Sequence, residues 1–276
     1  MFSSAAGKYN ESTVGRFEFG RNWQQFAAKV TPERIADAEE SLRSMLHMQG
    51  LEGQRFLDVG CGSGLFSLAA RRLGAVVHSF DFDRLSVAAA IELRGRFFPE
   101  DREWNIEYGS VLDRSYLESL GHFDVVYAWG VLHHTGALWD ALANAVSCVE
   151  ERGSLFVAIY NDQGWTSRYW TGVKRLYNYQ CWTRPILVGL HAPYLIAVPT
   201  VVRTLTGRPA KADRGMSLWH DLVDWLGGWP FEVARPDEIA GFMSSCGLVM
   251  TGQRLCGRRQ GCNQFVFQRV SSDRVA

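Results

Sequence analysis

The sequence predicts an α/β protein with a mostly parallel, doubly wound sheet and helices on both of its faces. Three observations carry this expectation. Short apolar runs alternate with segments of helical periodicity from residue 55 to residue 160, the rhythm of consecutive strand–helix–strand units. The first run passes straight into a glycine turn, Phe-Leu-Asp-Val-Gly-Cys-Gly-Ser-Gly at 56–64, which opens a helix-like segment. Such a turn at a strand's carboxyl end marks the ligand crevice of a doubly wound sheet. The second run ends on an acid, Asp81, where a carboxylate can hold both hydroxyls of a ribose.

Taken in order, residues 1–50 read as an N-terminal arm and helix. Aromatics (Tyr9, Phe17, Phe19, Trp23, Phe26) and glycines fill the first thirty positions, suiting an arm folded over the crevice or a plain packing flap. Thr31 and Pro32 then start a helix as N-cap and first-turn residue. Ile35, Ala38, Leu42, Met45 and Leu46 fall on one face at helical spacing, and Gly50 and Gly53 are expected to end it. Residues 51–160 form the core, with strands expected at 55–59, 75–81, near 104–110, at 123–129 and at 154–160. Helices are expected at 64–73, 84–96 and 137–148. Residues 161–232 are an insertion that a minimal sheet does not need. The last stretch, 233–276, returns to the core with a helix at 235–247 and closing strands at 248–255 and 262–270.

The insertion holds two aromatic-rich segments around an uncharged apolar run, Ile186 to Val202. That run is shorter than the roughly twenty residues a spanning helix needs. Pro193 and Pro199 interrupt it as well. A folded helical lid over the substrate edge of the sheet is the leading expectation, with a membrane-surface patch through 186–202 as the alternative.

The glycine turn also narrows the ligand. Its GxGxG spacing lacks the sixth-position glycine of the dinucleotide fingerprint. Asp58, just ahead of it, would repel a pyrophosphate and attract the ammonium of a methionyl group. Together these residues resemble the class I S-adenosylmethionine (SAM) methyltransferases, whose first motif reads much like Leu-Asp-Val-Gly-Cys-Gly-Ser-Gly. The resemblance covers about residues 50–160 well and the last forty loosely. It implies a seven-stranded, mostly parallel Rossmann-like sheet, with SAM as cofactor and S-adenosylhomocysteine as its product. It looks most like the quinone-biosynthesis and natural-product branches, which implies methylation, at oxygen, of a small-molecule or lipid-like acceptor.

On that pattern Asp58 and the backbone of Gly60, Gly62 and Gly64 take the methionyl end of the cofactor. Asp81 takes the ribose, Phe82 packs on the adenine, and Asp113 receives the adenine amino group. Trp129 lines the methyl end. Plainer roles compete: Asp81 as a turn acid, Asp113 as a cap, and Cys61 as a small space-filling residue.

On the acceptor side His133 and His134 follow the fourth strand, each a base candidate or a hydrogen-bonded structural imidazole. Tyr160, Asn161 and Asp162 end the fifth strand, to orient an acceptor or to cap the lid's first helix. Within the lid, His220 and Asp224 are helical i,i+4 neighbours beside Trp219, giving an imidazole held by a carboxylate or an ordinary solvated face. Trp129, Trp165, Trp170 and Trp219 would favour a flat or apolar acceptor.

No acid directly follows the fourth strand, where a catechol-type magnesium site needs one, and no metal is expected. The (Asp/Asn)-Pro-Pro-(Tyr/Phe) text of base-methylating relatives is also missing at that point. A SAM-fold enzyme that does not transfer methyl, or a SAM-binding subunit without catalysis, remains the alternative.

Composition bounds the rest. With 276 residues, 47% of them hydrophobic, a sizeable core is affordable. A formal net charge of zero without a basic block argues against nucleic-acid partners. Six cysteines without CxxC or CxxH spacing suggest thiols in a reducing compartment. The start lacks the layout of a signal peptide, so a cytoplasmic location is expected, with a homodimer left open.

Overall fold

A computed structural model of the chain describes residues 19–193, 195, 222, 225–257 and 261–270. Its framework is one seven-stranded sheet: β1 (Arg55–Val59), β2 (Val76–Asp81), β3 (Trp104–Tyr108), β4 (Phe123–Trp129), β5 (Val149–Tyr160), β6 (Leu248–Arg254) and β7 (Cys262–Arg269). The spatial order is β3-β2-β1-β4-β5-β7-β6. The pairs of β1 with β2 and β4, of β2 with β3 and of β4 with β5 are parallel. Only β7 runs against its neighbours. The order turns back between β1 and β4, which leaves a crevice at the carboxyl ends of those two strands.

Alternation along each strand sorts the core into two layers. On one face Val126 and Ala128 of β4 and Leu155 and Val157 of β5 pack under α5 (Arg114–Leu120), α6 (Leu138–Ser147) and α9 (Pro236–Ser245). On the other, Phe56, Val125, Tyr127 and Phe156 pack under α2 (Pro32–Leu46), α3 (Leu65–Arg72) and α4 (Arg84–Phe97). Phe56 and Phe156 are fully buried, each worth about 2–3 kcal/mol relative to exposure.

The predicted strands and helices recur with small shifts. α2 buries the five predicted residues. Thr31 occupies its N-cap position without a side-chain cap bond, and His47, in the left-handed region at φ 56°, ends it ahead of Gly50. β5 begins five residues earlier than expected, at Val149, and its pairing with β4 is irregular between Phe123 and Val125. Gly153 allows that close approach, because a Cβ there would lie 2.9 Å from the Glu150 carbonyl oxygen. The N-terminal arm contributes a helix of its own, α1 (Gly20–Ala27), packed on α4.

The insertion begins with α7 (Trp165–Tyr179) and α8 (Arg184–Ala192). These pack through Trp170, Val173, Tyr177 and Leu187 against Leu222, Leu226 and Phe231. The chain then runs back along the end of β5, where Ala234 N donates to Tyr160 O and Asp162 N to Ala234 O. No helix among the described residues is long and apolar enough to cross a membrane. His220, Trp219 and Asp224 lie outside the described residues.

Candidate active site

A cavity of about 1840 Å³ opens at the carboxyl ends of β1, β2 and β4. The glycine turn forms its floor. Gly60 N and Cys61 N donate to Phe80 O at 2.8 and 3.0 Å, which ties the turn to the end of β2. Gly60 and Gly62 take φ of 69° and 54°, a conformation that glycine reaches without strain. A Cβ on Gly60 would come within 2.4 Å of Val131, and one on Gly62 within 3.0 Å of the Trp23 ring. Gly64 plays a different part from the expected one. It is not among the cavity-lining residues, and its bare Cα lets α3 lie against α4, where a Cβ would meet Ala90 at 2.9 Å.

Asp58 lies on the floor, 2% exposed. Ser67 Oγ donates to its Oδ2 at 2.5 Å. Ser67 and Ser79 share a bond of 2.8 Å, and Trp104 Nε1 donates to Ser79 Oγ at 2.9 Å. The carboxyl is thus fixed by a chain of polar groups drawn from α3, β2 and β3. Burial pushes its pKa up to about 7, opposed by the Ser67 bond and assisted by the negative charge of Asp81.

Asp81 faces the same cavity from the end of β2. Its Oδ2 accepts from Gly62 N at 2.9 Å and its Oδ1 from Asp83 N at 2.8 Å. Asp83 in turn caps α4 through Leu85 N and accepts from Gly20 N at 2.7 Å. That bond anchors α1 beside the glycine turn. Phe82 stands in the wall next to Tyr108, ring centroids 5.7 Å apart.

Asp113 departs from its expected role. It caps α5, accepting from Tyr116 N and from Ser115 Oγ, and these bonds hold its carboxyl below the usual range. The cavity wall at this point is made by Ser110, Val111 and Leu112 instead. A cap is satisfied locally, so the acid turns into its own helix.

The cavity is also lined by aromatic rings. Trp129, Tyr127 and Phe66 line it together with Tyr160 and Trp225. Trp165 and Trp170 do not: the first is 80% exposed and the second is buried in the cluster between α7, α8 and Phe231. The histidines separate clearly. His133 is fully buried and is not among the lining residues, with its ring centroid 4.0 Å from Tyr160. His134 lines the cavity, and its Nδ1 lies 2.7 Å from the carbonyl oxygen of Pro230. A carbonyl only accepts, so Nδ1 carries the proton and the neutral ring presents Nε2 as its basic nitrogen.

Tyr160 lines the cavity, whereas Asn161 and Asp162 turn away from it. Asn161 Nδ2 donates to Gly257 O and its Oδ1 accepts from Asn263 Nδ2. Asp162 accepts from Gly164 N at the entry to α7, a capping use. Cys61 is buried in the turn, where desolvation drives its thiol pKa well up.

Sequence reasoning missed several lining residues. Register explains part of the set: Trp129 pairs with Ala158, Ala158 with Gln264 and Gln264 with Arg254. Opposed residues share a face, so Trp129, Gln264 and Arg254 sit in one row facing α2, whose Arg34, Asp37 and Ser41 form the facing wall. No local signal in β6 or β7 announces this. Among the described residues, no group of three or more His, Cys, Asp or Glu side chains is arranged to hold a metal.

The residues present suit SAM. A buried carboxyl beside left-handed glycines fits an aminoacyl ammonium, and a second acid at the next strand end fits a ribose.

Comparison with known proteins agrees with this geometry. The family model described as "Methyltransferase domain" matches residues 24–186. Ubiquinone biosynthesis O-methyltransferase of Rhodopseudomonas palustris (strain TIE-1) is 28% identical over 144 residues, 50% of this chain and 54% of that protein. The protein of the same name from Brucella melitensis biotype 2 is 30% identical over 139 residues, 48% of this chain and 54% of that one. The chain spans about half the length of the curated relatives it matches. Among solved structures, magnesium protoporphyrin IX methyltransferase from Synechocystis PCC 6803 with bound SAM superposes with a TM-score of 0.56 at 12% identity, covering 97% of this chain and 100% of that one. At that identity the likeness concerns the fold. The strand order, the acid-and-glycine floor and a family match over more than half of the sequence converge: this chain belongs to the methyltransferase-domain family of SAM-dependent enzymes.

Proposed function

We propose that this chain transfers a methyl group from SAM to a hydroxyl oxygen of a small, flat, apolar or lipid-like acceptor. The observation that carries the reading is one cavity lined both by Asp58 and Asp81 and by the aromatic rings of Trp129, Tyr160 and Trp225, with His134 in its wall. Bound SAM supplies a methyl group on a sulfonium, a leaving group that needs no further activation. The chain's own work is then positioning. Asp58 holds the ammonium and Asp81 the ribose hydroxyls. Trp129 and Tyr160 hold the acceptor ring against the methyl group.

A phenol must lose its proton as the methyl arrives, and His134, in the cavity wall with its Nδ1 proton held by the Pro230 carbonyl, is the proposed base that takes it. The Pro230 carbonyl favours the imidazolium that results, since Nδ1–H keeps its acceptor. The two ubiquinone-biosynthesis relatives support oxygen as the methylated atom.

Two measurements test the reading. Incubation with SAM and a panel of catechols and hydroquinones, followed by mass spectrometry, is expected to show a gain of one methyl group. His134→Gln is expected to lower kcat by about 10²–10⁴-fold while leaving SAM affinity within about twofold. Full turnover in the variant would leave positioning as the whole mechanism. SAM consumption without a methylated product would remove the proposal.

A further inference from the structure

The outward face of the lid hairpin is unlike an ordinary protein surface. Tyr169, near the start of α7, bonds His191, at the end of α8, at 2.7 Å, so the two helices double back on one another. Both turn their inner residues into the Trp170–Phe231 cluster. Outward they present Trp165 (80% exposed), Trp182 (67%), Ile186 (59%) and Leu190 (67%), with Tyr169 and Tyr179 about half exposed. Ile186 and Leu190 lie one turn apart on α8, and Trp182 stands exposed in the 3₁₀ turn Cys181–Thr183 just ahead of it.

The charge on this face has one sign. From Trp165 to Pro193 the exposed ionic side chains are Arg168, Arg175 and Arg184, and Arg184 turns inward, its Nε donating to Tyr177 O, which leaves Arg168 and Arg175 on the outer side of α7. The sequence from 163 to 212 contains no Asp or Glu and seven Lys and Arg, in a chain of zero formal net charge. Two copies meeting through this face would oppose like charges at the rim. Trp and Tyr beside Arg on one side of a helix pair match the headgroup layer of an anionic bilayer: the rings sit at the apolar boundary and the guanidinium groups lie among the phosphates.

We propose that the α7–α8 face docks flat on an anionic lipid surface. The cluster behind it also packs Tyr160, a wall of the cavity, so docking brings the cavity's aromatic lining close to the layer from which a lipid-like acceptor comes. Lipid binding is read without cofactor, so this surface stands or falls separately from the methyl-transfer reading.

Sedimentation of the full chain with sucrose-loaded vesicles tests it, using phosphatidylcholine alone and phosphatidylcholine with one-third phosphatidylglycerol. The wild type is expected to partition at least about tenfold more strongly to the anionic vesicles, and 0.5 M NaCl is expected to remove most of that preference. The variant carrying Trp182→Ser, Ile186→Ser and Leu190→Ser is expected to lose about tenfold in partition, with its far-ultraviolet dichroism and Tm unchanged. A second variant with Arg168→Gln and Arg175→Gln is expected to lose most of the anionic preference and leaves the apolar residues in place. Equal or absent binding to the two vesicle types overturns the proposal. So does a wild-type dimer in sedimentation velocity that the serine variant converts to monomer, which would assign the face to a second copy of the chain.

Discussion

Asp58 makes cofactor binding depend on pH in a way that can be worked from its surroundings. Its carboxyl is 2% exposed and titrates at about 7 because burial disfavours the charge. A SAM ammonium beside it favours the carboxylate, so binding and ionisation are linked. Below pH ~7 each unit leaves about tenfold less carboxylate, about 1.4 kcal/mol of affinity per unit. The Kd for SAM is therefore expected to tighten about tenfold per unit up to pH ~7 and then level off.

Asp58→Asn keeps the side chain's shape and its partner Ser67 and removes the charge. Loss of one charge-assisted bond weakens binding by about 1.5–3 kcal/mol, roughly ten- to a hundredfold, at pH ~8, and the pH slope should vanish. The same group acts on the protein without cofactor with a definite sign. A carboxyl raised from 3.8 contributes stability that is fully present below pH ~4 and is lost as pH rises through about 7, on the order of 4 kcal/mol. The stabilisation conferred by SAM should accordingly grow across that window. Isothermal titration calorimetry at several pH values, with thermal unfolding alongside, measures both. A wild-type Kd that is flat between pH ~5 and ~8, or a slope retained in Asp58→Asn, refutes the reasoning.

Three further outcomes are expected. Asp81→Ala removes the acceptor of two backbone amides and the proposed ribose contact, and tritiated-methyl SAM in equilibrium dialysis should bind at least about a hundredfold more weakly. Unchanged affinity would defeat the ribose assignment. Gly60→Ala places a methyl 2.4 Å from Val131 at a φ of 69°, and its Tm should fall by an amount equivalent to about 1–3 kcal/mol. Glu232→Ala strips the carboxylate that accepts from Gly136 N and Leu138 N at the start of α6. A loss of about 1–2 kcal/mol in urea unfolding is expected, and a midpoint equal to wild type would show that water replaces the cap.

Local chemistry was enough for part of this site. Asp58, the glycine turn and Asp81 are adjacent in sequence to the strand ends that position them, so alternation and spacing placed all three in one crevice. The same holds for α2, whose five buried residues follow from helical periodicity alone. Asp113 and Asp162 show where such reading fails. Each is a polar residue just ahead of a helix, and capping competes with ligand binding for the same carboxylate on equal terms in sequence. Only the observed bonds to Tyr116 N and Gly164 N decide between them.

The aromatic lining of the cavity belongs to tertiary structure altogether. Neighbouring His133 and His134 look equivalent in the text. The return of residues 230–234 along β5 provides the Pro230 carbonyl that sets the tautomer of one, while the other is buried behind Tyr160. Arg254 and Gln264 reach Trp129 only through registers spanning four strands. The sequence by itself determined the α/β sheet and the chemistry of the cofactor floor, because neighbours in the chain dictate both. The aromatic lining of the cavity, with His134 and Tyr160, was decided by contacts between residues about a hundred positions apart, whose pairing carries no local signature.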